Sequence, residues 1–147
     1  MSRGLVLLIV ATAAASAQAA DSACYSALVD ANRALSRTVE TACLSLFTAD
    51  VFAKYNANPN CSVMFANPYD VAACDPIIAN ISLCAVKAVK LLKADNTFDD
   101  AAFKATTLQN KCSADPKFIA AYPKCKNSTM KYLNVSRLFL CLMNAVY

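Results

Sequence analysis

The chain has 147 residues, of which 58% are apolar, and a formal net charge of +4. It contains eight cysteines but no histidine, and because histidine is the usual base for serine and cysteine nucleophiles and the commonest neutral metal ligand, histidine-dependent hydrolases and histidine zinc sites are excluded. The positive charge is spread over separate lysines and not concentrated in one block, so we expect no nucleic-acid partner.

The start of the chain predicts a secretory signal peptide. Arg3 supplies the basic residue, positions 5–11 the apolar run, and Ala17–Ala19 the small-residue pattern before a cleavage site. The apolar run is too short to cross a bilayer, and no later segment reaches about 18 uncharged apolar residues. We therefore expect a signal peptide at 1–20, a secreted, extracellular domain at 21–147, and no membrane span.

The first segment of the mature chain has the pattern of an amphipathic helix. From Cys24 to Leu46 apolar residues recur at spacings of three and four, while Arg33 and Arg37 fall on the opposite side. This pattern predicts one long helix over 22–48.

The length of this helix limits the disulfide pairing. A helix rises ~1.5 Å per residue, so the Cα atoms of Cys24 and Cys43 would lie about 28 Å apart, whereas a disulfide needs them within ~7 Å. We therefore predict no Cys24–Cys43 bond and expect each end of the helix to be joined to a later segment. The same calculation separates Cys125 from Cys141 if the last helix runs unbroken between them, although Cys125 precedes the expected start of that helix.

Aspartate-proline pairs at 75–76 and 115–116 mark two further helix starts. Aspartate is a good N-cap, and proline at the first helical position lacks only an N–H group that would be unpaired there. The first pair predicts a helix over 76–94, and the second predicts a short helix that ends at Pro123.

Two more helices complete the predicted fold. The segment Thr97–Asp100 resembles a capping box with aspartate in place of glutamate and therefore predicts a helix start. An apolar stripe from Tyr132 to Val146 predicts a last helix over 128–146.

The composition favours an all-α fold. The only glycine, Gly4, lies in the predicted signal peptide, and the tight turns of β-hairpins normally need glycine. We predict a single disulfide-stabilised all-α domain of five or six helices, in which the helices at 22–48 and 128–146 pack against the one at 76–94.

The eight cysteines predict four disulfides, because all of them follow the predicted cleavage site and their number is even. They are Cys24, Cys43, Cys61, Cys74, Cys84, Cys112, Cys125 and Cys141. No two have the C-x2-C spacing of a cysteine zinc site, so neither a metal nor a cofactor is expected.

Four N-x-S/T sequons predict N-glycosylation of a secreted protein in a eukaryotic host. Their asparagines are Asn60, Asn80, Asn127 and Asn134. The helical phase places the last three on sides that face solvent.

The acidic residues do not indicate an active site. Asp99 and Asp100 are adjacent in a predicted first helical turn, where the helix dipole favours acids. Glu40, the only glutamate, lies among the charges of the first helix. We therefore expect that the protein is not an enzyme.

The function that the sequence favours is binding without catalysis. A small domain braced by four disulfides needs less core to stay folded, so apolar helix faces are free to line a cavity for a lipid or sterol. We expect a secreted carrier of a small apolar ligand, although the lining residues would serve equally well as plain core. The candidates are Leu28, Leu35, Ile81, Val89, Phe103 and Phe139.

Two other functions remain open. One is a secreted toxin, effector or pheromone-like protein that acts on a receptor or another extracellular protein. The other is an extracellular matrix glycoprotein, for which the chain lacks the usual repeats and acidic runs. A carrier would retain an apolar ligand after purification, whereas a protein that acts through its surface would not.

Overall fold

The computed structural model describes residues 22–61 and 69–147. These residues form seven α-helices and no β-strand beyond one isolated bridge between Leu92 and Phe98. The prediction of an all-α fold is confirmed, but there are more than five or six helices because α2 and most of α3 lie between the helices predicted over 22–48 and 76–94. The helices are α1 (Ala23–Ala42), α2 (Ala49–Asn56), α3 (Val71–Ile77), α4 (Ala79–Ala88), α5 (Asp100–Ala102), α6 (Pro116–Thr129) and α7 (Val135–Val146). The predicted signal peptide at 1–20 lies outside the described residues.

All eight cysteines are paired, which confirms the prediction of four disulfides. The bonds are Cys24–Cys112, Cys43–Cys84, Cys61–Cys74 and Cys125–Cys141. Cys24 and Cys43 are not joined to each other, as the length of α1 requires. The start of α1 is joined instead to the segment before α6, and its end to α4.

The first predicted helix is shorter than expected. Ser22 caps α1 by accepting a hydrogen bond from the backbone N–H of Tyr25 at 3.1 Å. After Ala42 the chain turns through a short 3-10 helix at Leu44–Leu46. Thr48 then caps α2 by accepting a hydrogen bond from the Val51 N–H, so the predicted continuation of α1 to residue 48 is wrong.

The helix predicted over 76–94 is also different. Its predicted N-cap, Asp75, lies inside α3 and is fully buried, whereas Asp70 caps that helix. Pro76 follows within α3, and because proline cannot donate the helical hydrogen bond, the chain bends by 64° between α3 and α4. Helix α4 ends at Ala88, six residues before the predicted end.

Helix α5 begins near its predicted start but with a different cap. The Asp99 carboxylate accepts a hydrogen bond from the Ala102 N–H at 2.9 Å. Thr97, the predicted cap, instead donates its hydroxyl to Asp95 at 2.6 Å. Beyond α5 the chain makes a π-helical turn at Phe103–Thr107.

The two C-terminal helices form an antiparallel pair that the sequence did not predict. Asp115 caps α6 with proline next to it, as expected, but α6 continues through Pro123 to Thr129. Leu133 then adopts a left-handed backbone with φ of 54°, which reverses the chain before α7.

This reversal removes the condition under which Cys125 and Cys141 would be kept apart. Because no helix runs unbroken from Cys125 to Cys141, the two residues lie on neighbouring helices with their Cα atoms 5.7 Å apart. They can therefore form a disulfide that the unbroken-helix calculation excluded.

The core lies between α1, α4, α6 and α7 and contains a cluster of rings that we call the aromatic core. Its members are Phe98, Phe103, Phe118, Tyr122 and Phe139. The ring of Phe103 lies 5.5 Å from that of Phe98, 5.4 Å from that of Phe139 and 6.0 Å from that of Tyr122. Each ring is at most 6% exposed, so this side of the molecule is sealed.

Among the described residues, no single helix is both long and apolar enough to cross a membrane; α3 and α4 reach that length and composition only as a pair bent by 64°.

Candidate functional site

An apolar groove of about 370 Å3 lies between α1, α2, α4 and the first turn of α7. Its apolar lining residues are Leu35, Val39, Phe47, Val51, Phe52, Ile78, Ile81, Ala85 and Val135. Leu35, Ala85 and Val135 are buried and form its floor, whereas Val39, Val51 and Ile81 are only partly covered. The groove is thus a place where the apolar interior reaches the surface.

Helix α2 forms the outer wall of the groove and has no buried residue of its own. Phe47, just before α2, and Phe52 within it have ring centroids 5.9 Å apart. Phe52 remains 49% exposed, although a phenylalanine side chain gains about 1.5–3 kcal/mol from full burial. The wall therefore carries apolar surface that a ligand could cover.

Two disulfides hold the walls of the groove. Cys43–Cys84 joins the end of α1 to α4, and Cys61–Cys74 joins the segment after α2 to α3. Because covalent links restrict the opening and collapse of the walls, the groove is largely formed before any ligand binds.

A buried hydrogen-bond cluster, which we call the Asp75 network, lies beside the groove. One carboxylate oxygen of Asp75 accepts hydrogen bonds from the Tyr69 hydroxyl at 2.9 Å and from Asn134 Nδ2 at 2.8 Å. The other oxygen accepts a hydrogen bond from the Arg137 guanidinium at 3.1 Å. Tyr55 donates its hydroxyl to that of Tyr69 at 3.2 Å. The network joins α2, α3 and α7, and its members Tyr55 and Asn134 also line the groove.

The tyrosines of this network stay protonated. Burial, assisted by the hydrogen bonds to Tyr55 and Asp75, raises the pKa of Tyr69 well above its ordinary value. Burial also raises the pKa of Tyr55, and the hydrogen bond to Tyr69 opposes only part of that effect. The guanidinium of Arg137 lies over the Tyr69 ring, 4.3 Å from its centroid. At neutral pH both phenols are therefore protonated and serve as hydrogen-bond donors.

Comparison of the chain with protein-family models, with curated proteins and with solved structures gives no significant match. Fold likeness therefore supplies no function, and the groove is the feature from which one can be inferred.

The six predicted lining residues lie in three places. Leu35 and Ile81 line the groove. Val89 and Phe139, again with Leu35, line a smaller cavity of about 200 Å3 that α1 also borders. Leu28 and Phe103 are fully buried in the core and line neither space. The structure thus brings two of the six together at the larger site.

The sequence prediction missed the contribution of α2. Residues 49–56 lie beyond the predicted first helix at 22–48 and before the next predicted helix, so Val51, Phe52 and Tyr55 were not placed on one helical face. The signal that could have found them is Thr48, a good N-cap residue that precedes a short segment with apolar residues at positions 51, 52 and 55.

One predicted glycosylation site is placed wrongly. Asn134 was expected to face solvent with Asn127, but it is only 2% exposed and donates its side-chain N–H to Asp75. The predicted helical phase failed because α6 and α7 are separate helices and Asn134 caps the second. The expectation that Asn134 faces solvent is therefore wrong, because its side chain is buried. Asn60, Asn80 and Asn127 are exposed, and their glycosylation stays a prediction.

The acidic pair at the start of α5 has structural partners. Asp99 caps the helix, and Asp100 accepts hydrogen bonds from the Tyr122 hydroxyl at 2.6 Å and the Lys126 ammonium at 2.5 Å. Burial opposes ionisation of Asp100, but these hydrogen bonds and the nearby positive charges outweigh it, so the pKa of Asp100 is lowered. Within 22–61 and 69–147, no group of three or more acidic, histidine or cysteine residues is arranged to hold a metal ion.

Proposed function

We propose that the protein is a secreted, non-enzymatic binding protein that carries a small apolar ligand in the groove. The observation that supports this most directly is the groove itself. Its volume of about 370 Å3 falls at the lower end of the range of about 300–1,000 Å3 that is common for small-molecule sites.

The energetics of the groove favour an apolar occupant. Its rim leaves Phe52 half exposed and Val51 and Ile81 partly exposed. Each square ångström of apolar surface removed from water stabilises a complex by about 25 cal/mol. A ligand that lies against these side chains would therefore gain free energy without any charged contact.

The walls of the groove are held in place without a ligand. Disulfides fix the ends of its walls, and the Asp75 network fixes the positions of Tyr55 and Asn134. A preformed site loses little conformational entropy when the ligand enters, so more of the gain from apolar burial appears as affinity.

Native mass spectrometry of the protein secreted from a eukaryotic host tests the proposal. We expect a co-purifying apolar molecule, or saturable binding of the neutral fluorescent probe N-phenyl-1-naphthylamine. A bare mass together with no probe binding would reject the carrier function. Specific capture of a receptor by that bare protein would then support the alternative, a toxin, effector or pheromone-like protein.

A matched pair of variants locates the site. Phe52→Asp places a charge on the groove wall and should weaken probe binding by at least about 10-fold, because the carboxylate would be desolvated by the ligand. Ile119→Asp makes the same type of change at a position that is 57% exposed on α6, away from the groove, and should leave probe binding unchanged. Equal effects of the two substitutions would show that the probe binds elsewhere.

A further inference from the structure

One buried hydroxyl in the groove has no partner. Ser82 lies on α4, is only 6% exposed and lines the groove. Its backbone N–H donates to the Ile78 carbonyl at 2.9 Å, but its hydroxyl makes no hydrogen bond to another residue within 22–61 and 69–147. By contrast, Ser36 and Thr38 on α1 each donate to the carbonyl four residues earlier, at 3.1 and 3.0 Å.

Solvent or a ligand would reach the Ser82 hydroxyl from the groove. Within the described part of the chain, every side-chain nitrogen or oxygen that is fully shielded from solvent has a hydrogen-bond partner. The Ser82 oxygen, which has none, is therefore not fully shielded, and Ser82 lines the groove. A purely apolar ligand that filled the groove would remove water from this hydroxyl without replacing the hydrogen bond, at a cost of about 1–3 kcal/mol.

The charge of the groove restricts the ligand further. Of the described residues that line it, Glu40 is the only charged one, and none is a lysine or an arginine. Arg137, in the adjacent network, is engaged by the Asp75 carboxylate. A carboxylate head group in the groove would therefore be desolvated without a cation and would meet a negative charge at the rim.

We infer that the ligand is a neutral apolar molecule that bears a hydroxyl group, which Ser82 binds, and that a fatty-acid anion is disfavoured. This inference rests on the proposed carrier function and narrows its ligand class. A hydroxyl is suited to the site because it can both donate to and accept from the serine oxygen, whereas a carboxylate can only accept.

The test compares 1-decanol with decanoate, which have the same chain length, as competitors of N-phenyl-1-naphthylamine at neutral pH. We expect 1-decanol to bind at least about 10-fold more tightly than decanoate. Ser82→Ala should weaken 1-decanol binding about 3- to 10-fold, the loss of one hydrogen bond, but should not weaken binding of the probe, which has no hydroxyl. Ser26→Ala, at an exposed position of α1 outside the groove, is the control and should alter neither.

A second variant tests the role of charge. Glu40→Gln should strengthen decanoate binding and leave 1-decanol binding unchanged. Decanoate that binds as tightly as 1-decanol, or an unchanged affinity for 1-decanol in Ser82→Ala, would overturn the inference while the carrier function stood. If neither the probe nor 1-decanol bound, the carrier function itself would fail, and the two failures are therefore distinguishable.

Discussion

The groove and the aromatic core are built from the same apolar residue types, yet only the core is sealed. Phe103 in the core is 0% exposed, whereas Phe52 in the groove wall is 49% exposed. In the core, α6 and α7 pack side by side and are joined by Cys125–Cys141. The groove wall is a two-turn helix that is held at its ends. The groove therefore stays open because its wall, α2, is short and is linked to the rest of the protein on either side by disulfides, and not because apolar residues are lacking.

Each side also contains a tyrosine, an aspartate and a cation in contact. Tyr69 and Arg137 bind Asp75 beside the groove, while Tyr122 and Lys126 bind Asp100 beside the core. The Asp75 side chain is 1% exposed and that of Asp100 is 31% exposed. The groove side, where apolar packing is incomplete, thus has the more buried of the two polar clusters. We therefore expect the Asp75 network to contribute more to stability than the Asp100 cluster does.

The largest expected effect is on stability, and it distinguishes a residue of the aromatic core from one of the groove wall. Phe103→Ala should lower the free energy of unfolding by about 3–5 kcal/mol, because it removes a fully buried ring and leaves a cavity. Phe52→Ala should lower it by about 1 kcal/mol or less but weaken binding of the fluorescent probe. Urea unfolding of both variants, with probe titration of each, measures the contrast. Similar losses of stability would mean that the groove wall is as tightly packed as the core.

The next effect concerns the Asp75 network. Arg137→Met should cost about 3 kcal/mol, because it leaves the buried Asp75 carboxylate without its cation. Adding Asp75→Asn should restore part of this loss, since the uncompensated charge is then gone. Urea unfolding of the two single variants and the double variant gives the coupling energy. Additive losses would show that the two side chains act independently.

The Asp100 cluster should have a smaller and pH-dependent effect. We expect Asp100→Asn to lower stability at pH 7 by about 1 kcal/mol, since partial exposure screens its ion pair. The pKa of Asp100 is lowered in the folded state, so its contribution is present above the ordinary carboxyl pKa of about 4 and is lost as the pH falls through the folded value. Thermal melts of the two proteins should therefore converge below about pH 4. A constant difference across that range would contradict this assignment.

The amphipathic pattern and the cysteine count were sufficient to predict the fold class and the absence of a Cys24–Cys43 bond. They depend on local periodicity and on helix length, which the sequence contains directly. The prediction that Asp75 caps a helix failed because tertiary partners compete for it. Tyr69, Asn134 and Arg137 satisfy the carboxylate in the core, and Asp70 serves as the cap.

The candidate site was predicted only in part for a related reason. Leu35 and Ile81 were identified because each lies on the apolar face of a predicted helix. Leu28 and Phe103 have the same local pattern but are sealed, since exposure depends on what packs against a helix and not on the helix itself. The sequence around Ser82 does not distinguish it from other helical serines. That its hydroxyl is buried in the groove without a hydrogen-bond partner can be seen only in the folded structure.

The smallest expected effect lies where the chain passes from the groove side to the core. Lys90 follows α4 with φ of 58°, and the next residue, Leu91, is buried and donates its N–H to the Val86 carbonyl at 2.9 Å. This geometry is that of a Schellman motif, whose left-handed position usually holds glycine because a Cβ atom costs about 1 kcal/mol there. Lys90→Gly should therefore raise stability by about 0.5–1 kcal/mol. The same substitution in the last turn of α4, Lys87→Gly, should lower it by about 1 kcal/mol, because glycine is a poor helix former. Effects of equal sign in urea unfolding would show that the turn at Lys90 is not left-handed in solution, and the path of the chain between the two sides would then need to be redrawn.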